Sequence, residues 1–277
     1  MITNSKHSVC VIMSVHNEEK YLAEAIESIL NQTFQAYDFY IIDDGSTDAT
    51  PEIIKHYCQL DKRILFIQHE KQCHLAHSLN ELIQQTDHEY LVRMDGDDIS
   101  QVERLEKQIC YLDKHSDVGV LGTWCTLIDE VGHPIAECKV PETDTQIRQA
   151  MNRANAIVHP AVAVRRSVYE AVGGYNKAFR YSQDYELWSR AARVTKFGNL
   201  PDFLVYHRLD MMHVSGVSRS RSLFSFRAKM KWLLINRATP INWVYLLRPL
   251  VWALLPSGLA ASLQRRKLAY YQQAVAR

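Results

Sequence analysis

Continuous apolar runs alternate with amphipathic segments along the first half of the chain. Such runs are typical of strands covered on both faces, and they predict strands at Val9–Ser14, Phe39–Ile42, Ile64–Gln68 and Tyr90–Met94. Apolar residues at helical spacing predict a helix after each strand, at about Lys20–Asn31, Thr47–Leu60, Leu75–Gln85 and Val102–His115. This rhythm predicts an α/β fold with parallel strands and right-handed crossovers.

The second half of the chain shows a less regular pattern, which predicts a mixed architecture. A further strand is expected at Val118–Leu127, followed by a turn over Asp129–Pro134. The remaining segments predict two helices and two short strands, with a glycine-rich loop at residues 173–175. We place the helices at Thr143–Ala154 and Asp184–Val194 and the short strands at His159–Arg166 and Leu204–Arg208.

Length, charge and cysteine usage narrow the class of protein. A chain of 277 residues suits one large domain, or one domain with an appendage. A net charge of +1 gives no reason to expect nucleic acid as a partner. The six cysteines lack metal-ligand spacing, and the N-terminal residues lack the apolar core of a signal peptide. These features favour free thiols and a cytoplasmic location.

Acidic residues follow two of the predicted strands at the point where each strand ends. Asp43 and Asp44 follow the second strand, and Asp95, Asp97 and Asp98 follow the fourth. The carboxyl ends of parallel strands share one edge, where open α/β sheets bind ligands. Crowded carboxylates need a cation or a proton, and carboxylate oxygens suit Mg²⁺ or Mn²⁺. The alternatives are a solvated acidic turn after the fourth strand, and a turn or helix-capping role for the first pair.

These segments, with several later ones, resemble the family 2 glycosyltransferases, which have a GT-A type fold. The matching motifs occur in the family's order from about residue 9 to 215. Together they indicate the family strongly and the transferred sugar only weakly. The motifs lie at residues 15–22, 29–33, 43–48, 94–98, 159–160, 173–175, 183–188 and 206–208.

The resemblance implies a fold, a reaction and a set of ligands. The fold is a mostly parallel nucleotide-binding sheet flanked by helices, with a mixed acceptor-side half and a C-terminal helical tail. The reaction is metal-dependent, inverting transfer of a sugar from a nucleotide sugar, most often a UDP-sugar. The acceptor is a glycan or a lipid-linked glycan in the synthesis of a cell-surface polysaccharide, and the cofactor is Mn²⁺ or Mg²⁺.

The motifs also assign roles to individual residues on the donor side. Asp97 is the metal ligand, and Asp95 lies near the ribose or in the metal shell. The donor contacts implied by the resemblance are His16, Asn17, Glu18, Asp43, Asp44 and Asp95. His16 replaces the tyrosine common in relatives, and its imidazole can still stack on a base. The motif does not decide which of Asp43 and Asp44 contacts the nucleobase.

Asp184 matches the catalytic base of the family. Inversion requires an acceptor hydroxyl that loses its proton as it attacks, and a carboxylate can take that proton. The alternative is that Asp184 caps the predicted helix, since Asp is favoured at N-caps. Gln183 replaces the glutamate that many relatives carry before this residue.

The chain departs from the family near its last motif. The histidine usual in relatives aligns with Asp210, which makes Asp210 a candidate metal ligand and His213 a possible substitute. The alternative is that Asp210 is a solvated loop residue. His159 is a candidate for an acceptor or donor contact, although a histidine before proline more often fixes a loop.

We expect a glycosyltransferase domain over residues 1–218, with its nucleotide-sugar half at about 1–127 and its acceptor half at about 128–218. The tail over residues 219–277 contains eleven Lys and Arg residues and no Asp or Glu. Its first helix is predicted to carry one apolar face, formed by Leu223, Phe226, Met230, Leu233 and Leu234.

The apolar segment Ile241–Ala261 of the tail contains Arg248, Pro249 and Pro256, which disfavour a membrane span. The tail is therefore predicted to lie on the inner face of the plasma membrane as a peripheral contact. The alternative is that its helices pack on the catalytic domain or form a dimer contact.

Two other classes of function compete with sugar transfer. A non-catalytic scaffold subunit that binds nucleotide sugars would have no need for Asp184. A glycoside hydrolase with two carboxylates would have no need for a nucleotide site. The Asp43–Ser46 turn after the second parallel strand argues against the hydrolase.

Overall fold

Nine strands form one mixed sheet in the computed structural model, which describes residues 8–209, 219–254 and 262. The strands are β1 (Val9–Val15), β2 (Tyr37–Asp43), β3 (Ile64–Gln68), β4 (Tyr90–Met94), β5 (Ile99–Ser100), β6 (Val118–Ile128), β7 (Pro134–Cys138), β8 (Ala163–Arg165) and β9 (Lys196–Arg208). The helices are α1 (Leu22–Leu30), α2 (Thr50–Leu60), α3 (Leu75–Gln84), α4 (Arg104–Lys114), α5 (Asp144–Met151), α6 (Arg166–Val172), α7 (Gln183–Ala191), α8 (Arg219–Ile235) and α9 (Leu247–Leu254). Two 3₁₀ helices cover His159–Ala161 and Pro240–Leu246.

The strand order places the first half of the chain at one side of the sheet. The order is β3-β2-β1-β4-β8-β6-β9-β5, with β7 paired to β6. β3, β2, β1 and β4 are mutually parallel, as the strand–helix rhythm predicts. β8 then pairs antiparallel to both β4 and β6. The prediction of a mixed second half is therefore confirmed.

Two predicted strands of the second half are wrong in extent. The segment predicted as a strand over His159–Arg166 is a 3₁₀ helix followed by the three-residue β8, because Pro160 favours the first turn of a helix. β9 begins at Lys196 rather than Leu204. Its pairing with β6 shifts register at Thr123 and Trp124, and the skipped positions contain Pro201. A bulge admits a proline that lacks the ladder N–H.

The sheet has a separate apolar core on each face. One core contains β-strand residues packed against α1, α2 and α4. The other contains residues from α3, α5, α6 and α7, together with residues of the tail. The two cores bury the strands on both sides, which explains why their sequences read as continuous apolar runs.

The tail helix α8 packs against α7. Ala228, Trp232 and Leu233 are buried in the second core. The Trp232 Nε1–H donates to Asn152 Oδ1 over 3.0 Å, and Lys231 Nζ lies 2.8 Å from the buried carboxylate of Glu186. The predicted single apolar face of this helix is wrong, because Leu233 is buried while Leu223 and Leu234 are half exposed. The helix α8 thus has the domain-packing role that the sequence left as an alternative.

The last described elements of the tail present large apolar side chains to solvent. They lie on the second 3₁₀ helix and on α9: Ile241, Val244, Leu247, Val251 and Leu254 are each more than half exposed. Among the helices of the described residues, none combines the length and apolarity that a bilayer crossing requires.

Candidate functional site

The turn after β4 brings three carboxylates together. Asp95, Asp97 and Asp98 each offer an oxygen, and these atoms lie within 4.8 Å of one another. Gly96 permits this close turn, since a Cβ there would lie 2.5 Å from Cγ1 of Val15 on β1. The acids therefore sit against the end of the neighbouring parallel strand.

Cationic side chains and a backbone N–H hold the outer two acids of this turn. The buried guanidinium of Arg93 forms an ion pair with Asp95. Asp98 is fully buried, and its Oδ1 accepts the backbone N–H of Arg208 over 2.8 Å and lies 3.0 Å from Nδ1 of His207. Burial opposes the charged form of His207, but the charge of Asp98 prevails and raises the pKa of His207 to about 9. These contacts join the acidic turn to β9.

Asp97, the middle acid of the turn, has a charge that nearby cations balance less than those of Asp95 and Asp98. Burial, with the charges of Asp98 and Asp95, raises the pKa of Asp97 to about 7. Burial and the charge of Asp97 likewise raise the pKa of Glu18 to about 8. A group of carboxylates that resists ionisation by this much fits a divalent cation with oxygen ligands. Asp97 and Asp95 are the residues that would hold it.

The turn after β2 gives its two acids different surroundings. Asp43 is fully buried, and its Oδ1 accepts the backbone N–H of Ser46 over 3.0 Å. Its Oδ2 is also buried and has no partner among the described residues. Gly45 adopts a φ of +73°, and a Cβ there would lie 2.7 Å from the backbone carbon of Lys71. Only glycine fits this turn.

Asp44 joins this turn to the start of α3. Its Oδ1 accepts hydrogen bonds from the Cys73 N–H, the Ser78 hydroxyl and Nδ1 of His69, and its Oδ2 accepts the His74 N–H over 2.8 Å. Burial opposes ionisation, yet these donors lower the pKa of Asp44 below its usual value. Asp44 is therefore an anion whose Oδ2 accepts fewer hydrogen bonds than its Oδ1.

One cavity of about 370 Å³ receives acids from both strands, as their placement at one sheet edge predicts. Asp44, Asp95 and Asp97 line it, together with His16 and Glu18. We call it the donor cavity. Asp43 is not among its lining residues.

Asn17 is likewise not among the residues that line the donor cavity. Its φ is +57°, and its Oδ1 accepts the Thr47 N–H over 2.8 Å. Asn17 therefore links the loop after β1 to the turn after β2. His16 does reach the cavity, and its Nδ1–H donates to the Asp44 carbonyl oxygen over 3.0 Å.

Asp184 lies in a second cavity. It is the second residue of α7 and therefore not the N-cap, which is Ser182, although its carboxylate accepts the Tyr185 N–H in the first turn. Asn155 Nδ2 donates to Asp184 Oδ2 over 2.6 Å. Burial raises the pKa of Asp184, against the lowering effects of the Tyr185 N–H and of the Arg93 charge. A raised pKa suits a carboxylate that must accept a proton.

The two cavities meet at one side chain. Tyr181 lines both the donor cavity and the cavity of Asp184. A donor in the first cavity and an acceptor in the second would therefore be neighbours. His159 contacts neither cavity: its Nε2 lies 2.8 Å from the Tyr175 hydroxyl, and burial lowers its pKa well below the usual value. The loop-fixing role of His159 is thereby supported.

Some residues of the site went unpredicted, and two predicted residues lie outside the described part of the chain. Arg93 is a buried charge within an apolar strand, and that contrast was a usable signal. Tyr181 and the tail residues near Asp184 carried no local signal, since their role depends on tertiary placement. Asp210 and His213 lie outside the described residues.

Comparison with known proteins places the chain in a family. The family description "Glycosyl transferase family 2" matches residues 10–173. The chain is 32% identical to the putative glycosyltransferase EpsE of Bacillus subtilis, over 96% of both chains. It is 30% identical, over 67% of both chains, to an Escherichia coli enzyme named UDP-Gal:alpha-D-GlcNAc-diphosphoundecaprenol beta-1,3-galactosyltransferase.

A solved structure supports the same fold. The crystal structure of S. aureus TarS in complex with UDP-GlcNAc matches with a TM-score of 0.66 and 20% identity, covering 82% of this chain and 66% of that one. The sheet order, the paired acidic turns and these matches agree. The chain belongs to the family 2 glycosyltransferases and is a glycosyltransferase of the GT-A fold type.

Proposed function

We propose that the enzyme transfers a sugar from a UDP-sugar onto a lipid-linked glycan, with inversion at the anomeric carbon. The observation that carries the proposal is the meeting of two cavities at Tyr181, with the acids of β2 and β4 on one side and Asp184 on the other. TarS is described with UDP-GlcNAc, and the E. coli relative is named for UDP-Gal and a diphosphoundecaprenol acceptor. This reaction would serve the synthesis of a cell-surface polysaccharide.

A divalent cation, Mn²⁺ or Mg²⁺, completes the donor cavity in this proposal. Asp97 is its principal ligand, because its charge is the least balanced of the three acids, and Asp95 lies in the same shell. The cation supplies charge stabilisation for the diphosphate leaving group. Without it, the acids of the cavity would repel a diphosphate.

Asp44 is the residue we assign to the nucleobase. It lines the donor cavity, whereas Asp43 is fully buried and absent from the lining. Its Oδ2 accepts one N–H of the protein and retains a lone pair for a base N–H donor. His16, fixed by its bond to the Asp44 carbonyl, places its ring in the same cavity.

Asp184 is the general base of the proposed reaction. Its Oδ2 is oriented by Asn155, and burial raises the pKa of its carboxyl above the usual value, which makes the carboxylate a stronger proton acceptor. The acceptor hydroxyl would lose its proton to Asp184 while the oxygen attacks the anomeric carbon of the donor. The nucleoside diphosphate would leave from the opposite face, which inverts the configuration.

We further propose that the tail contacts the inner face of the plasma membrane. The exposed apolar residues of the second 3₁₀ helix and of α9 form the contact surface, and the basic character of the tail favours an anionic leaflet. The docked α8 fixes these elements to the catalytic domain. Such a contact would confine enzyme and lipid-linked acceptor to one surface.

The proposal is tested by separating donor binding from transfer. A thermal-shift panel of UDP-, GDP- and dTDP-sugars with and without Mn²⁺ identifies the donor, and we expect a UDP-sugar to stabilise the protein only with the metal. Asp184→Asn is expected to keep that stabilisation and to lose roughly a hundred- to ten-thousand-fold in the rate of transfer into a lipid extract.

The exposed Asp87 offers a matched control, since Asp87→Asn makes the same change outside both cavities. It should transfer at the wild-type rate. Transfer by Asp184→Asn within a few-fold of wild type would assign the base to another residue. A protein that binds no nucleotide sugar would contradict the proposed function itself.

A further inference from the structure

The cavity that contains Asp184 is built partly by the tail. It has a volume of about 620 Å³ and is lined by residues of α7 and the preceding loop, and by residues of α8 and α9. Its lining includes Arg153, Tyr181, Asp184, Lys229, Arg248 and Trp252. We call it the acceptor cavity, a name that rests on the proposed function.

Positive charge dominates this cavity. Arg153, Lys229 and Arg248 line it with Arg221, whereas Asp184 is the only carboxylate among its described lining residues. The donor cavity has the opposite character, with the four acids Glu18, Asp44, Asp95 and Asp97 against one arginine, Arg180, in its wall. Two phosphate-bearing substrates would therefore meet opposite electrostatic environments.

Lys229 is the most buried of these cations. Its side chain is 7% exposed, and its Nζ donates to the carbonyl oxygens of Arg153 and Tyr245. Two neutral carbonyls occupy two of its three donors, which leaves one donor for a ligand. Burial, with the nearby charge of Arg248, lowers its pKa to about 8. A bound anion would relieve both effects.

The apolar surroundings of the cavity suit one kind of anion. Arg248 and Trp252 lie on α9, the helix that also exposes Leu247 and Val251. A ligand with its charge at Arg248 could extend a hydrocarbon chain along these side chains. Phosphate groups are well matched by clustered Arg and Lys donors.

We propose that the acceptor cavity binds the diphosphate of an isoprenyl-diphosphate-linked acceptor, through Arg153, Lys229 and Arg248. The isoprenyl chain lies toward the exposed apolar side chains of α9, and the sugar lies toward Asp184 and Tyr181. This arrangement deepens the proposed function, since it names the chemical class of the acceptor and the residues that select it. No metal is needed at this diphosphate, because the protein supplies the positive charge.

The test uses the full chain and farnesyl diphosphate as the probe, in EDTA so that the metal-dependent donor cavity does not bind it. Isothermal titration calorimetry compares farnesyl diphosphate with farnesyl monophosphate and farnesol. We expect the diphosphate to bind most tightly and farnesol least. Charge-assisted hydrogen bonds of this kind contribute roughly tenfold each to affinity.

The decisive variant is the double substitution Arg153→Gln with Arg248→Gln. Both side chains are exposed, so the fold should tolerate their loss. We expect the affinity for farnesyl diphosphate to fall at least about tenfold. Arg237→Gln is the matched control, because Arg237 is an exposed tail arginine outside the cavity. Lys229→Met provides a second, buried test of the same site.

Two further measurements show whether farnesyl diphosphate binds outside the donor cavity and whether other lipid headgroups bind at the same site. Asp97→Ala should bind farnesyl diphosphate as wild type does, because the donor cavity is not involved. Vesicles of phosphatidylglycerol should compete poorly. If they compete as well as farnesyl diphosphate, the cavity is a general site for lipid headgroups and the acceptor assignment is overturned.

Failure of this inference is distinguishable from failure of the proposed function. Equal affinity of wild type and the double variant for farnesyl diphosphate, or equal binding of farnesol, would overturn the acceptor site. Stabilisation by a UDP-sugar with Mn²⁺, measured in the same variants, should be unchanged. Its presence would leave the proposed function standing whatever the calorimetry shows.

Discussion

Replacing Trp232 by alanine tests whether the tail is an integral part of the catalytic domain. Trp232 lies on α8, where it packs in the core with residues of α7 and is 1% exposed. Its Nε1–H donates to Asn152. A buried tryptophan removes about 150–250 Å² from water, which at about 25 cal/mol per Å² corresponds to roughly 4–6 kcal/mol. Measured losses for Trp→Ala in cores are about 3–5 kcal/mol. We expect a loss of about 4 kcal/mol, since the hydrogen bond adds only about 1 kcal/mol.

The assay is equilibrium unfolding in urea followed by far-ultraviolet circular dichroism, with thermal melting alongside. Trp243→Ala is the matched control, since Trp243 is 38% exposed on the second 3₁₀ helix. It should cost about 1 kcal/mol or less, as is usual for partly exposed positions. At roughly 2–4 °C per kcal/mol for a domain of this size, Trp232→Ala should melt about 10 °C lower than wild type. If the two variants unfold at the same midpoint, the tail does not dock as described.

Three other predictions follow from charge and exposure. Asp97→Ala should abolish Mn²⁺-dependent stabilisation by the donor in a thermal-shift assay. The free protein should keep or gain stability, because crowded acids repel. Unchanged donor stabilisation in this variant would reject Asp97 as the metal ligand. The wild-type protein should float with anionic liposomes at low salt, whereas the double variant Ile241→Ser with Val244→Ser should not. Equal flotation of the two proteins would reject the apolar contact surface. Lys229 has a folded pKa of about 8, below its usual 10.5, with Arg248 and Asp184 facing the same cavity. The unfolded chain therefore binds more protons between pH 8 and 10.5, so wild-type stability should rise over this window by up to about 3 kcal/mol relative to Lys229→Met in urea unfolding.

The membrane test uses point substitutions because the structure rules out a simple truncation. Removing everything after Ser218 would also remove Trp232 and Leu233 from the core. The resulting protein would be destabilised whether or not the tail contacts a membrane. Exposed residues such as Ile241 and Val244 can be changed without that cost.

The first half of the chain was predictable because its sequence signals are local. Buried parallel strands require continuous apolar runs, and the helices between them require apolar residues at helical spacing. The bounds of Ile64–Gln68 and Tyr90–Met94 were predicted to the residue. Because β2 and β4 are parallel, the acids at their carboxyl ends lie at the same edge of the sheet, whatever role each acid has.

The second half was less predictable because tertiary pairing overrides local preference there. The start of β9 contains Gly198, Asn199 and Pro201, which by themselves favour a loop. The long partner β6 and the bulge between them make a strand of this segment. In the tail, α8 follows the surface of α7 rather than its own amphipathic pattern, so the buried Trp232 could not be assigned from spacing.

The opposite charges of the two cavities give a physical reason for the proposed assignment of donor and acceptor. A bare diphosphate would be repelled by Asp95 and Asp97, so in the proposed reaction the donor binds with a cation that neutralises both. A cation would in turn be repelled by Arg153, Lys229 and Arg248 in the acceptor cavity. Tyr181 lines both cavities. In this proposal, metal-dependent donor binding and metal-independent acceptor binding follow from one charge distribution.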